Sequence, residues 1–68
     1  MTLGEFINHL KHKSLDLIIW YDRVDNPVFK GNVGSYQYWI KKSKFDNVQI
    51  DHILFSEIDE IVINLEMK

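Results

Sequence analysis

Histidine is the residue type in this chain that most readily supports catalysis or metal binding, and it occurs three times. His9 and His12 are three positions apart, so on a helix they would share one face and offer two nitrogen ligands. Zinc requires a further protein ligand, and the chain lacks the Glu and the i, i+4 spacing of a metalloprotease helix. We therefore expect solvated histidines near a helix end, with no metal and no cofactor.

Asp51 and His52 form a second candidate pair, because a carboxylate that orients an imidazole is one part of a catalytic triad. Neighbouring side chains in a strand point to opposite faces, so we expect these two not to hydrogen-bond easily. No serine lies in the sequence context of a strained nucleophile turn, and residues 31–34 lack the ending of a phosphate-binding loop. A chain of this size also has little volume for a pocket. We therefore predict that the protein is not an enzyme.

Nucleic-acid binding is suggested by residues 36–45, where aromatic residues are interleaved with lysines. Single-strand binding combines rings that stack on bases with cations that neutralise phosphates. The candidate residues are Tyr36, Trp39, Lys41, Lys42 and Lys44. Alternatively, a small domain keeps its aromatic residues inside and its lysines in solvent, and a net charge of −2 argues against a duplex binder. Nucleic-acid binding is therefore the second hypothesis for function.

The charge of the chain is unevenly distributed between its two parts. Residues 1–45 contain seven Lys/Arg and four Asp/Glu, and residues 46–68 contain one and six, so the charges are +3 and −5, which sum to −2. An acidic surface attracts basic proteins. The carboxylates that would form a protein-binding surface are Asp46, Asp51, Glu57, Asp59, Glu60 and Glu66. Alternatively, they form the solvated face of a hairpin and protect an edge strand from unwanted pairing.

The element that positions the first histidines is a predicted helix over residues 2–12. Thr2 and Glu5 have the spacing of a capping box, which satisfies backbone N–H groups at a helix start. The apolar positions follow the i, i+3, i+4, i+7 pattern of one buried face: Leu3, Phe6, Ile7 and Leu10.

A strand over residues 15–22 follows, and its middle is apolar on both faces. Such a strand is usually central in its sheet, so we expect the helix to cover one face and a second subunit the other. Asp25-Asn26-Pro27 predicts a turn, and residues 28–33 predict the return strand.

The second half of the chain predicts one short helix and a hairpin. Ser35 is the expected cap of a helix that extends to about Lys44, although Tyr36 to Tyr38 also alternates like a strand. Residues 48–55 and 61–65 predict two strands, of which the first has a bulge or starts later, at about His52.

Size and composition restrict the class of protein. Sixty-eight residues make one domain, residues 1–68, in which nearly every apolar side chain is expected to be needed for the core. The chain has no cysteine, so we predict that self-association, for example as a homodimer, or a tight partner supplies the remaining stability. The longest apolar run, Leu17 to Tyr21, is far shorter than the roughly 20 residues that span a bilayer. We expect a soluble, cytoplasmic protein with no membrane partner.

The opening residues 1–7, Met-Thr-Leu-Gly-Glu-Phe-Ile, precede a Leu-Ile-Ile-Trp-Tyr-Asp strand, a proline turn and a Val-Phe-Lys-Gly return. This pattern resembles small uncharacterised proteins of phages and mobile elements of Gram-positive bacteria, which commonly start with such a helix and end in a short β-hairpin. The resemblance implies an accessory factor in the host cytoplasm that binds a host or phage protein. Its most specific form is inhibition of a host defence nuclease. No catalytic residue transfers.

These observations predict an α+β fold in the order helix, strand, strand, short helix, strand, strand. The sheet is expected to be mostly antiparallel, with the N-terminal helix packed on one face. The first functional hypothesis is a non-catalytic protein-protein interaction module that uses its acidic C-terminal hairpin.

Overall fold

The computed structural model describes residues 1–21, 26–56 and 59–66. Its elements are α1 (Leu3–Asn8), β1 (Asp16–Trp20), β2 (Phe29–Asn32), α2 (Val33–Tyr36), α3 (Lys42–Phe45), β3 (Ile50–Phe55) and β4 (Glu60–Leu65). The four strands form one sheet in the order β2-β1-β4-β3. β1 pairs antiparallel with β2 and parallel with β4, and β3 pairs antiparallel with β4. The predicted α+β fold with a mostly antiparallel sheet is therefore confirmed.

The capping box predicted for α1 is present. The Thr2 hydroxyl accepts from the Glu5 backbone N–H at 3.2 Å, and the Thr2 backbone N–H donates to the Glu5 carboxylate at 3.1 Å. The helix ends at Asn8, so the predicted extension to residue 12 is wrong. Residues 11–13 are Lys-His-Lys and offer no apolar side chain to bury, and short helices depend on such packing.

The central position predicted for the first strand is confirmed, since β1 lies between β2 and β4. Leu17 and Ile19 are completely buried on one face of the sheet, while Ile18 and Trp20 are half-buried on the other. The strand ends at Trp20, and Asp25 of the predicted turn lies outside the described residues.

The single helix predicted from Ser35 to about Lys44 is wrong, because two short helices occupy this segment. The cap of α2 is Asn32 rather than Ser35, and its side-chain oxygen accepts from the Ser35 backbone N–H at 2.7 Å. The strand alternative for Tyr36 to Tyr38 is also wrong, because this segment contains the end of α2 and a turn.

One hydrophobic core lies between the helices and one face of the sheet. Its members are Leu3, Ile7, Leu17, Ile19, Phe29, Val33, Tyr36, Phe45, Ile61, Ile63 and Leu65. Each helix contributes to this cluster, so all three described helices cover the same face of the sheet. The expectation that nearly every apolar side chain joins the core is wrong: Met1, Tyr38, Ile40, Leu54 and Phe55 are exposed.

The predicted irregularity in the third strand is confirmed as a register shift between Ile50 and His52. Ahead of it, Thr2 forms an isolated antiparallel bridge with Gln49, and the Ile50 N–H donates to the Met1 carbonyl at 2.9 Å. The N-terminal residues thus cover the start of the β3 edge, while the strand beyond the bulge lies at the rim of the sheet.

Candidate functional site

Asp46, one of the predicted protein-binding carboxylates, is part of the internal structure. The Tyr36 hydroxyl donates to Asp46 Oδ1 at 2.6 Å, and the Lys42 ammonium donates to Oδ2 at 2.7 Å. Burial raises the pKa of Tyr36 well above its ordinary value, and the hydrogen bond and charge of Asp46 raise it further. Asp46 therefore ties α2 to α3 from a site that is only partly open to solvent.

The other predicted acidic residues lie towards two ends of the β3–β4 hairpin. Asp51 is at the bulge and Glu66 follows β4, whereas Asp59 and Glu60 are at the turn. The length of β4 separates the two pairs by about 17 Å, at roughly 3.4 Å per residue. Glu57 lies outside the described residues. The described carboxylates therefore do not share one compact patch.

Asp51 and His52 do form the hydrogen bond that strand alternation makes difficult, with 2.8 Å between Oδ2 and Nδ1. The bulge explains the difference, because an extra residue interrupts the alternation of neighbouring side chains. Both side chains are exposed. In the part of the chain that the structure describes, no three His, Cys, Asp or Glu side chains form a potential metal site. His9 instead places Nδ1 2.6 Å from the Glu5 carbonyl oxygen of its own helix.

The aromatic residues of the predicted nucleic-acid site are used inside the domain. Tyr36 is completely buried, and Trp39 stacks on Phe45 with 5.3 Å between ring centroids and packs against Phe29 at 5.1 Å. Tyr36 therefore cannot stack on a base, and Phe45 already occupies one face of the half-buried Trp39 ring. Tyr38, by contrast, is 91% exposed.

Of the three candidate lysines, Lys42 is held by Asp46, and Lys41 and Lys44 are exposed. Lys44 also lines an open depression of about 350 Å³, together with Asn47, Val48, Gln49 and Glu66. This lining supplies one ammonium, one carboxylate and two amides, but no imidazole, hydroxyl or thiol side chain. Its chemistry therefore indicates no reaction.

A different surface emerges from the strand register, on the face of the sheet opposite the core. Lys30 pairs with Ile18, Ile18 with Val62, and Val62 with Leu54, so these four side chains form one row across all four strands. Three of the four are apolar. We call this side of the sheet the open face; its described side chains include Asp16, Ile18, Trp20, Lys30, His52, Leu54, Glu60, Val62 and Asn64.

The apolar residues of the open face are separate from the core. Ile18, Trp20 and Val62 are half-buried, yet they belong neither to the core cluster nor to the partly buried residues that pack against it. Leu54, at the end of the row, is 56% exposed. They therefore form an apolar strip that no described helix covers.

Polar groups border this strip. Asp16 and Glu60 lie directly opposite each other on the neighbouring strands β1 and β4, and Lys30 lies at one end of the row. On the other side of the row, Trp20 pairs with Asn64 and Asn64 with His52. An apolar centre with a charged rim is the usual composition of a protein-protein interface.

Only part of this surface is predictable from the sequence. The apolar character of Ile18 and Trp20 predicts that the second face of β1 needs a cover. Lys30, Leu54 and Val62 come from other strands, and only the register places them in the same row.

Comparison with known proteins identifies no relative: no family model matches the chain, and neither a curated protein nor a solved structure shows significant similarity. Among the described helices, none combines the length and the apolar composition needed to span a membrane. The geometry of the open face is therefore the main evidence on function.

Proposed function

We propose that the protein is a non-catalytic protein-interaction module that binds its partner through the open face. One observation carries this proposal: the three described helices cover one side of the sheet, while the row Ile18, Val62, Leu54 lies on the other. Apolar side chains that remain in water cost free energy, and covering them favours association.

The chemistry of this face fits a protein better than a nucleic acid. Asp16 and Glu60 would repel phosphates, and Lys30 is the only lysine or arginine on its described strands. Trp20 adds an aromatic residue of the kind that often dominates binding energy.

The partner is a protein, as the sequence predicts, but its main contact is the open face instead of the adjoining acidic hairpin. Glu60 belongs to both surfaces, and Asp59 is its exposed neighbour. A role as a phage or mobile-element accessory protein in the host cytoplasm, including inhibition of a defence nuclease, stays a proposal that rests on the resemblance alone.

A photo-crosslinking amino acid placed at Leu54 tests the proposal in the native host. Ile40 is the matched control, because it is 91% exposed, apolar and located between α2 and α3. We expect specific protein adducts from position 54 that the additional exchange Val62→Lys suppresses, and none from position 40. Absence of adducts at position 54 in a correctly folded chain, or equal adducts at both positions, would contradict the proposal.

A further inference from the structure

We propose that the occupant of the open face is a second copy of this chain, packed face to face with its strands crossing at nearly 90°. This inference rests on the proposed function, since it identifies the partner of the same surface. Near-orthogonal packing is one of the two common ways in which sheets stack.

The positions of the charged residues on the open face support this arrangement. Lys30 lies one strand away from Ile18, about 4.8 Å across the sheet, and Asp16 lies two residues away along β1, about 6.8 Å. These two directions are perpendicular and the distances are similar. A two-fold axis that runs diagonally through Ile18 therefore brings Lys30 of one copy onto Asp16 of the other.

The same axis matches the apolar residues. Trp20 lies two residues from Ile18 along β1, about 6.8 Å, while Val62 and Leu54 lie one and two strands away, about 4.8 and 9.6 Å. The axis thus places Trp20 of one copy between Val62 and Leu54 of the other. Asn64 lies close to the axis, where two amides can donate to and accept from each other.

The dimer would also reduce a repulsion between two carboxylates of the same chain. Asp16 and Glu60 face each other across neighbouring strands, and like charges in that position destabilise a sheet. Neither carboxylate has an ion-pair partner among the residues that the structure describes. In the dimer, Lys30 of each copy would become the ion-pair partner of Asp16 in the other copy.

The size of the face sets the expected strength of the dimer. Four strands of about five residues present a flat area of roughly 19 × 17 Å, about 320 Å². Stable interfaces bury about 800 Å² on each partner, so this contact belongs to the small class. We therefore expect a weak, reversible dimer whose population rises with protein concentration.

The exposed edge of β3 offers a competing way to form a dimer. Phe55 is 73% exposed on the core side of this strand, and two β3 edges could pair antiparallel. That arrangement would leave the Lys30 and Asp16 contacts unmade. Charge reversal therefore distinguishes the two dimers.

Sedimentation equilibrium on a pair of charge-reversed variants tests the inference. Lys30→Glu alone, and Asp16→Lys with Glu60→Lys, each place like charges at both symmetry-related contacts, so each should be monomeric at concentrations where the wild type dimerises. Mixed at equal concentration, they restore both contacts and should form a heterodimer. Lys41→Glu is the matched control and should dimerise like the wild type; circular dichroism checks that every variant is folded.

Three outcomes would overturn the inference: a monomeric wild type at several hundred micromolar, no heterodimer in the mixture, or a dimer that Phe55→Lys abolishes and Lys30→Glu does not affect. A monomeric wild type that still crosslinks a host protein from position 54 leaves the proposed function standing with a different partner. Loss of both the dimer and the crosslink removes both proposals.

Discussion

Tyr36→Phe is the sharpest test of the internal hydrogen bonds, because it removes one oxygen atom from a completely buried side chain. The lost bond joins the phenol to an Asp46 carboxylate, and hydrogen bonds to charged groups contribute about 1.5–3 kcal/mol. Asp46 keeps Lys42 and partial access to water, so the lower part of that range applies. We expect the free energy of unfolding to fall by about 2 kcal/mol at pH 7.

The difference between wild type and Tyr36→Phe should depend on pH. Because the pKa of Tyr36 is raised in the folded chain, its phenol stays protonated where the unfolded phenol ionises above pH 10.0. The contribution of the Tyr36 hydroxyl to the free energy of unfolding is complete below that pH. It falls as the pH rises, by up to about 1.4 kcal/mol per pH unit. At pH 11 the wild type should therefore exceed Tyr36→Phe by only about 0.6 kcal/mol.

Urea unfolding at pH 7 and pH 11, at one fixed protein concentration, measures both effects. Tyr38→Phe is the matched control, because this tyrosine is 91% exposed, and it should unfold like the wild type at pH 7. A loss below about 0.5 kcal/mol at pH 7 would refute a strong bond between Tyr36 and Asp46. A difference that stays the same at both pH values would refute the titration of Tyr36.

Three further predictions concern local backbone contacts. Asn32→Ala should lower the free energy of unfolding by about 1 kcal/mol in urea unfolding, because Asn32 is the cap of α2. Ser35→Ala should have little effect, and equal losses for the two variants would contradict this assignment. Thr2→Ala should cost about 0.5–2 kcal/mol and release the amides of the α1 first turn to faster hydrogen exchange, and unchanged exchange would contradict the capping box. Asp59→Gly should raise the melting temperature slightly or leave it unchanged, because Asp59 has a φ of 59° that glycine adopts without strain. A clearly lower melting temperature would mean that the fold needs the Asp59 side chain.

Local patterns in the sequence were sufficient for much of the fold. The capping box at Thr2, the central position of β1 and the irregularity near His52 depend on neighbouring residues, and all three are confirmed. The sequence predicts Ser35 as the cap of this helix, whereas the cap of α2 is Asn32; both residue types can accept from an N–H three positions later. The choice between them is made by where β2 ends, which is a tertiary feature.

The candidate site was less predictable, because it depends on pairs of residues that are distant in the chain. Asp46 was expected on an outer acidic surface, but Tyr36 and Lys42 hold it inside through contacts that composition does not reveal. The row from Lys30 to Leu54 needs three strand registers, and shifting one strand by one residue would move its side chains to the other face.

The open face follows from the small size of the protein. The size of the chain predicts that its apolar residues lie inside, so that only ionised groups remain for binding. In the structure the helices are short and cover a single face, and the central strands carry Ile18, Trp20 and Val62 on the other. This sheet is apolar on both faces, but the helices that the structure describes cover only one of them, and proteins usually bury both such faces. A larger domain would cover such residues with a second layer of its own. In this chain they lie on the open face, where we propose that a partner covers them.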